Sequence, residues 1–359
     1  MAGGVCVAGH FLATALESGH HQPVSADRPD YSPLRLDEAG GARLLLVFGE
    51  EKGATEVRPG RRRYNGATDF HRLLGDMKYE RLTLGRRLPF AAGAANLSAY
   101  ACVINMMTDP ELHRQPLENL RRLLSGYGGK VVNRPQAVLQ SGRDRIAAAL
   151  VGTPGLRVPK VARLAGGKPR MAVKAIERLG MAYPLIVRQA GTHTGNIVGL
   201  IESEEGLLSA IARAGDYFAT EFVDYRSADG LFRKYRVFFF GDRTVFRHMI
   251  ICDEWSVHGG SRMRFMVDRP ELVEEEKRLF TLPESPFPVE FQPLFREIRS
   301  RIPLDFFGLD FGINRDGEAV LFEANATMNF FPPVADPRFD YLMATWPAAR
   351  DAFRELVLH

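Results

Sequence analysis

Residues 305–330 read DFFGLDFGINRDGEAVLFEANATMNF and carry three polar residues in or beside apolar runs: Asp310, Glu323 and Asn325. An ionised carboxylate in an apolar strand costs several kcal/mol, on the order of 3 or more, unless a cation or a strong donor faces it. The stretch therefore predicts that a cation lies against these side chains.

A turn divides this stretch into two strand-like segments. Side chains two residues apart in a strand face the same way, so Glu323 and Asn325 point together. The turn NRDGE joins the segments, and a hairpin across it brings Asp310 level with Glu323. Two carboxylates and an amide oxygen are hard ligands that suit Mg²⁺ or Mn²⁺ rather than zinc. One alternative stays open, in which Asp310 caps a turn and Glu323 pairs with an arginine.

The composition is typical of a folded globular protein with an anionic ligand. The 359 residues are long for one core and predict two or three domains. Hydrophobic residues make up 45% and charged residues 25%, with a net charge of +4 that favours a nucleotide or carboxylate as ligand. The basic cluster Arg58–Arg63 is interpreted as a solvated loop, so we expect no nucleic-acid partner.

Three features predict a cytoplasmic protein without membrane contact. Cys6, Cys102 and Cys252 are far apart and form no CxxC pair, which is typical of a reducing compartment and argues against a zinc site or disulfides. The N-terminus lacks the basic region of a signal peptide. The longest apolar stretch, Ala91–Met107, contains polar residues and is interpreted as a buried helix rather than a membrane span.

The order of segments predicts the α/β class. Residues 18–42 are rich in Pro, Ser, Asp and Gly, so residues 1–42 form an expected leader. From about 43 to 140, β-rich runs such as Arg43–Phe48 alternate with a helical segment near Leu117–Leu124. A second unit begins near Asp144, and a third begins with the hairpin KYRVFFFGDRTVF, whose turn is Gly241-Asp242.

The pattern GLDF…G…FEAN around Asp310, Glu323 and Asn325 resembles the metal-binding signature of ATP-grasp enzymes. That superfamily includes D-alanine:D-alanine ligase, glutathione synthetase and the ribosomal-protein S6 glutamate ligase type. The resemblance spans roughly residues 100–330 and implies that the three residues hold magnesium, or manganese, against the ATP phosphates. It also implies a pre-ATP-grasp α/β domain followed by a two-lobed ATP-grasp of α+β character. The implied limits are 43–142 for the first domain, 143–223 for the central subdomain and 224–359 for the C-terminal subdomain.

Two further segments resemble the family's phosphate-binding elements. VVNRPQAVLQSGRDR (131–145) is similar to the segment that ends in an Asp-Lys pair, which implies that Arg145 reaches the nucleotide phosphate. PLIVRQAGTHTGN (184–196) resembles the strand and Gly-rich loop that close over ATP, with Arg188 at the usual lysine position. His193 and Thr194 are then contacts of the γ-phosphate. Arginine keeps the charge and holds phosphate oxygens through two donors.

TEFVDY (220–225) resembles the hinge between the two lobes. The resemblance implies that Glu221 accepts a hydrogen bond from the adenine amino group and that the backbone of Phe222 and Val223 meets the edge of the ring.

RKYRVFFFG (233–241) resembles the strand whose arginine contacts the transferred phosphate, which makes Arg236 and Arg188 the implied catalytic residues. Lys234 shares a strand face with Arg236 and is expected to address the same anion. His248 on the paired strand lines the same cavity or is a satisfied core histidine. Asp253, His258 and Arg262 in the loop Ile251–Arg264 bind a polar substrate or form a solvated loop.

The resemblance implies ATP-dependent carboxylate–amine ligation through an acyl phosphate, with release of ADP and phosphate. We expect small-molecule or peptide carboxylates and amines as substrates, and the fold family suggests a homodimer. Two alternatives keep nucleotide binding: an ATP-grasp small-molecule kinase, which leaves a stable phosphoester, and a non-catalytic regulatory protein. The sequence shows no obvious general base.

Overall fold

The computed structural model describes residues 43–49, 68, 70–85, 97–191, 197–280, 289–330, 334 and 336–359, and the backbone of three short strands within 16–19, 55–58 and 61–63. The strands are β1 (Leu16–Gly19), β2 (Leu44–Gly49), β3 (Thr55–Arg58), β4 (Arg61–Arg63), β5 (Tyr79–Leu84), β6 (Cys102–Asn105), β7 (Lys130–Val132), β8 (Leu156–Arg157), β9 (Val161–Ala165), β10 (Leu185–Gln189), β11 (Ile197–Ile201), β12 (Asp216–Glu221), β13 (Phe232–Phe240), β14 (Arg243–Cys252), β15 (Phe306–Ile313) and β16 (Ala319–Asn325). The α-helices are α1 (Phe70–Leu74), α2 (Arg114–Leu123), α3 (Pro135–Leu139), α4 (Arg143–Leu150), α5 (Pro169–Arg178), α6 (Glu204–Ala210), α7 (Gly259–Ser261), α8 (Pro270–Arg278), α9 (Gln292–Arg301) and α10 (Thr345–Leu358).

The first sheet is a mostly parallel sheet of five strands in the order β1-β5-β2-β6-β7. The edge strand β1 runs antiparallel to its neighbour β5. Leu16–Gly19, which lies within the expected leader, is therefore a strand of this sheet. All six residues of β2 are buried, as in a parallel strand covered on both faces. The predicted α/β class is confirmed.

The buried helix expected over Ala91–Met107 is wrong for the residues that the structure describes. Residues 97–107 begin with a 3-10 turn at Leu97–Ala99 and continue into β6, whose four side chains are buried. A short apolar run suits a buried parallel strand as well as a helix, because neither leaves a polar face to set the period. Here the strand is favoured over the helix because β2 and β7 lie on either side of β6 and supply its backbone hydrogen bonds.

Two further sheets form the lobes that face each other across the site. The second sheet is antiparallel, in the order β11-β10-β12-β9, and packs its buried side chains against α5 and α6. The third sheet has the order β14-β13-β15-β16-β8. Its hairpin β13–β14 turns at Gly241-Asp242 as predicted. The strand β8 lies within the predicted central segment but pairs in parallel with β16 of the third sheet.

The C-terminal helix α10 joins the first sheet to the third. Phe353 of this helix lies 5.0 Å from Phe70 and 6.2 Å from Phe306, measured between ring centroids. The same apolar cluster contains Leu44 and Leu46 of β2 and Phe238 of β13. Burial of apolar area from three parts of the chain therefore fixes the N-terminal domain against the lobe that carries Asp310.

Asn133 forms a polar clamp between the end of β7 and the start of β15. Its Oδ1 accepts from the N–H groups of Asp305 and Phe306, both at 2.9 Å, and its Nδ2 donates to the Phe306 carbonyl at 2.8 Å. The residue is buried and has a φ of 56°, a left-handed conformation that asparagine tolerates better than most residues. Sequence alone marks none of this, because the partners lie 172 and 173 residues away.

We predict that Asn133→Ala lowers the free energy of unfolding by about 3 kcal/mol, because three buried polar groups lose their partner. Urea denaturation followed by circular dichroism measures the change. Asn314→Ala is the matched control, since Asn314 caps two N–H groups within its own turn, and we expect a loss of about 1 kcal/mol there. Equal losses in the two variants would contradict the clamp.

Candidate active site

A cavity of about 560 Å³ lies between the second and third sheets. The N-terminal domain contributes Thr108–Glu111 to its wall, and the central lobe contributes residues such as Arg188 and Phe218. Lys234, Arg236, Asp310 and Glu323 line it from the third sheet. The cavity therefore combines an interlobe position with a small number of charged groups, as in a typical ligand site.

The third sheet carries the charged groups in one row across four strands. His248 pairs with Arg236, Arg236 with Asp310, and Asp310 with Glu323. Directly opposed residues point to the same face of a sheet, with Cβ atoms about 5 Å apart. The hairpin prediction that Asp310 lies level with Glu323 is confirmed by this register.

Asp310 is held by two cations of the neighbouring strand. Arg236 donates to both of its carboxylate oxygens, through Nε at 2.6 Å and Nη2 at 2.7 Å. Lys234 Nζ lies 3.4 Å from Oδ2. Burial alone raises the pKa of a carboxyl, but Arg236 and Lys234 outweigh it, so the pKa of Asp310 falls below its ordinary value. Asp310 is thus ionised at neutral pH although it is buried.

Glu323 is held by two cations from outside its own sheet. Arg143 at the start of α4 donates to Oε2 and also to the Phe322 carbonyl, the latter at 2.7 Å. Arg188 of β10 has its Nη1 3.6 Å from the same Oε2. Burial opposes ionisation of Glu323, yet Arg143 and Arg188 together depress its pKa well below the usual range. The repulsion from Arg143, followed by burial, lowers the pKa of Arg188 to about 10, so Arg188 remains charged at neutral pH.

Positive charge exceeds negative charge around these two carboxylates. Among the described residues, four cationic side chains hold them, Arg143, Arg188, Lys234 and Arg236. The excess of two positive charges lies in a recess partly screened from water, where it attracts anions strongly. Glu323 pairs with arginine, as the open alternative expected, whereas Asp310 lies inside β15 and pairs with Arg236 and Lys234 instead of capping a turn. Both acids also line the cavity.

Asn325 differs from the expectation for a metal ligand. Its Oδ1 accepts from the N–H groups of Thr327 and Met328, both at 2.9 Å, and its Nδ2 donates to Glu323 Oε1 at 2.7 Å. Both lone pairs of the amide oxygen are thus used by the backbone. The donor set that fits Mg²⁺ here is the pair of carboxylates, and the described residues contain no group of three or more His, Cys, Asp and Glu side chains suited to a metal.

The predicted hinge residues Glu221, Phe222 and Val223 line one end of the cavity. Glu221 Oε2 accepts from the Lys160 N–H at 3.2 Å, and the Phe222 ring meets Trp255 edge-on at 5.8 Å. The Phe222 N–H donates to the Pro184 carbonyl at 3.2 Å, so the carbonyl is the group of this peptide that a ligand could use. Aromatic and apolar side chains at this end suit a flat ring.

Arg145 does not line the cavity, and Arg143 takes its place. Arg145 is exposed and donates to Gln140 on the surface of α4. Arg143 lies one turn before the buried Ile146 and Ala147, so the helix period directs it to the covered face. That period is present in the sequence and could have distinguished the two arginines. His193 and Thr194 lie outside the described residues.

The loop residues proposed for a polar substrate have separate roles. Asp253 pairs with Arg264 at the surface. Arg262 is buried against Glu276, which also accepts from Tyr341 at 2.6 Å. Only His258 lines the cavity, where its Nδ1 accepts from the Gly260 N–H at 3.0 Å and caps α7.

The N-terminal domain contacts the central lobe beside the cavity. Arg163 of β9 donates to Glu111 through Nη1 at 3.0 Å and through Nη2, and its Nε lies 3.4 Å from Asp144. Gly191, which opens the Gly-rich loop, faces Leu112 so closely that an added Cβ would lie 3.2 Å from it. Gly191 therefore both lines the cavity and packs against the segment that carries Glu111 and Leu112.

The fold of the chain is similar to that of several solved structures. The D-Ala:D-Ser ligase VanG from Enterococcus faecalis matches with a TM-score of 0.51 and 13% identity, over 88% of this chain and 99% of that one. The chain has the ATP-grasp fold. A RimK domain ATP-grasp protein from Sphaerobacter thermophilus matches at 0.47 and 16%, over 89% of this chain and 100% of that one. Carboxyaminoimidazole ribonucleotide synthase from Aspergillus clavatus, complexed with ATP, matches at 0.47 and 13%, over 85% and 77%.

No protein-family model and no curated protein matches the sequence. At 13% identity the match to VanG supports the fold alone. No helix among the described residues has the length and apolar character needed to cross a membrane.

We predict that His248 makes the protein less stable in acid. Burial first, and then Arg236, Arg262, Arg247 and Lys234, lower the pKa of His248 well below its ordinary value. The unfolded chain therefore binds a proton near pH 6.5 that the folded chain excludes, and stability falls as pH falls below that value, by at most about 1.4 kcal/mol per pH unit.

Urea denaturation between pH 7 and pH 5 tests this expectation. His248→Gln should show a shallower loss than the wild type. An unchanged slope in His248→Gln would show that the folded protein protonates His248 freely.

Proposed function

We propose that the protein is an ATP-dependent ligase that activates a carboxylate as an acyl phosphate and joins it to an amine. The observation that carries the proposal is the row of Arg236, Asp310 and Glu323 at the floor of an interlobe cavity. The ligase named among the similar structures agrees with this reaction class. The substrates are small-molecule or peptide carboxylates and amines.

The charge distribution supports a polyphosphate ligand. The excess of two positive charges around Asp310 and Glu323 attracts a triphosphate, and the guanidinium groups of Arg143 and Arg188 supply paired donors for phosphate oxygens. The adenine ring would lie at the hinge end, against Phe222, Val223 and Trp255. Glu221 is the acceptor available there for the exocyclic amino group.

The same charges argue that a divalent cation enters together with the nucleotide. A site with excess positive charge repels free Mg²⁺, whereas a bound triphosphate reverses the sign. Asp310 and Glu323 would then hold the ion, because hard carboxylate oxygens are its preferred ligands. When bound, Mg²⁺ neutralises charge on the β- and γ-phosphates.

The first chemical step needs no base from the protein. The substrate carboxylate is already ionised, and one of its oxygens bonds to the γ-phosphorus while the bond to the β-phosphate oxygen breaks and ADP leaves. Arg236 is fixed by its two bonds to Asp310, and Arg188 faces it from the other lobe. Preorganised cations of this kind stabilise the charge that develops on the transferred phosphoryl group.

The proposal predicts a trapped acyl phosphate. The protein is incubated with Mg·ATP, pooled carboxylic and amino acids, and hydroxylamine as a surrogate amine. We expect hydroxamate and ADP in equal amounts, detected by mass spectrometry, and a loss of at least 100-fold in Asp310→Asn, because Arg236 and Mg²⁺ both lose their partner. A stable phosphoester without hydroxamate would identify a kinase, and bound ATP without any product would favour a regulatory protein.

A second prediction separates the two neighbouring arginines of α4. Arg143→Ala should weaken ATP binding by 10-fold or more, because a charge-assisted contact contributes roughly 1.5–3 kcal/mol. Arg145→Ala should bind ATP like the wild type, since that side chain lies on the outer surface of the helix. Isothermal titration calorimetry with Mg·ATP measures both affinities. Weaker binding in Arg145→Ala with normal binding in Arg143→Ala would restore the sequence-based assignment.

A further inference from the structure

The segment 255–259, at the junction of β14 and α7, forms part of the cavity wall. All of its residues line the cavity. Trp255 anchors the segment at the hinge end, because its carbonyl accepts from the Tyr225 hydroxyl at 2.5 Å and its ring meets Phe222 edge-on. The segment therefore lies beside the place that the proposed function gives to the base, and the inference below rests on that function.

His258 in this segment has one ring nitrogen occupied by the protein itself. Nδ1 accepts from the Gly260 N–H at 3.0 Å and caps α7, while the His258 N–H donates to Ser261 Oγ at 3.2 Å. A ring nitrogen that accepts a hydrogen bond carries no proton, so the proton of the neutral imidazole is on Nε2. This N–H makes no hydrogen bond to the residues that the structure describes. The exposed side chain thus carries one donor of fixed tautomer.

Capping of α7 does not by itself require a histidine. The side chains that cap helices best are those of Ser, Asp, Asn and Thr, whose short oxygen acceptors reach the same backbone N–H groups. The imidazole differs from them because it adds a second nitrogen beyond the one that caps. His258 therefore brings a donor to the cavity wall that the helix does not use.

Gly260 keeps the imidazole in its place. A Cβ added at Gly260 would lie 2.9 Å from His258 Cε1 and 3.1 Å from Nδ1, so a side chain at this position would displace the ring. The backbone of Gly260 does not have the left-handed conformation that favours glycine. Contact with the imidazole, and not the backbone, is thus the reason why glycine suits this position.

The register of the third sheet places the segment between the base and the phosphates. Cys252, which ends β14, pairs with Phe232, and Lys234 of the cavity wall lies two residues further along β13. His258 follows Trp255 by three residues, a span of at most about 11 Å because successive Cα atoms are about 3.8 Å apart. The sugar and the α-phosphate are the parts of a nucleotide that lie between these two ends.

We propose that the Nε2–H group of His258 donates a hydrogen bond to an oxygen of the bound nucleotide, in the sugar or in the α-phosphate. Both kinds of oxygen accept from a neutral imidazole N–H. His258 is then a nucleotide-binding residue, and Gly260 is the residue that positions its ring. Because the cap orients the donor before the nucleotide arrives, little side-chain freedom is lost on binding.

His258→Asn separates the donor from the cap. Asparagine caps helices well, so urea denaturation should give the wild-type free energy of unfolding. The shorter side chain has no nitrogen at the position of Nε2, so the affinity for Mg·ATP, measured by isothermal titration calorimetry, should fall about threefold to tenfold. Gly260→Ala should weaken binding to a similar extent in the wild type. It should cause no further loss in His258→Asn, since it acts through the imidazole.

Two nucleotide analogues identify the oxygen that accepts the bond. With a sugar hydroxyl as acceptor, 2′-deoxy-ATP or 3′-deoxy-ATP will bind to the wild type and to His258→Asn with equal affinity. With the α-phosphate as acceptor, both analogues will lose as much affinity in the variant as ATP does. Either result supports the inference.

The remaining outcomes reject the inference or the function separately. Wild-type affinity for Mg·ATP in His258→Asn, or a loss of affinity that accompanies a lower free energy of unfolding, would leave His258 with the role of a cap alone. The ligase assignment survives in both cases. A wild-type protein that binds Mg·ATP but forms no hydroxamate would refute the ligation and not the His258 contact, and one that does not bind Mg·ATP would refute both.

Discussion

The bidentate pair between Arg236 and Asp310 is the interaction on which the site depends. It buries two charges within the third sheet, where each would be strongly unfavourable alone. The antiparallel register then fixes the neighbours of the pair. Glu323 lies beside Asp310 on the next strand, and His248 lies beside Arg236 on the strand at the other side. A one-residue slip of β13 or β15 would turn these side chains to the opposite, apolar face. The order of the charged row is therefore as strongly determined as the hydrophobic core beneath it.

Glu323 connects this row to the rest of the molecule. Asp310 finds its cations within the third sheet, but Glu323 takes Arg143 from α4 and Arg188 from β10 of the opposite lobe. One carboxylate thus joins two lobes through long side chains that can exchange partners. If Arg143 and Arg188 moved from Glu323 to the oxygens of a bound phosphate, they would still connect the two lobes. Binding of an anion would then not require the lobes to separate.

Much of this organisation is readable in the sequence, and the exceptions have physical reasons. The strand at 44–49, the hairpin around Gly241-Asp242 and the level placement of Asp310 and Glu323 follow from periodicity and turn residues. Ala91–Met107 was assigned to a helix because a short apolar run has no period, and the sheet decided otherwise. The family pattern indicates Arg145, whereas the helix period indicates Arg143, because Arg143 lies one turn before the buried Ile146 and Ala147. The partners of Asn133 depend on a contact between segments 172 and 173 residues apart, which no local pattern indicates.

Arginine at position 188 suits the surrounding charge better than lysine would. Arg143 and Arg188 approach the same Glu323 oxygen and repel each other, and this repulsion lowers the pKa of Arg188 to about 10. A lysine begins from a lower pKa than arginine, so the same repulsion and burial would bring it closer to deprotonation at neutral pH. A crowded site that must stay positively charged before its anion arrives therefore favours guanidinium over ammonium. The positive charge of Arg143 is thus the main reason why arginine suits position 188 better than lysine.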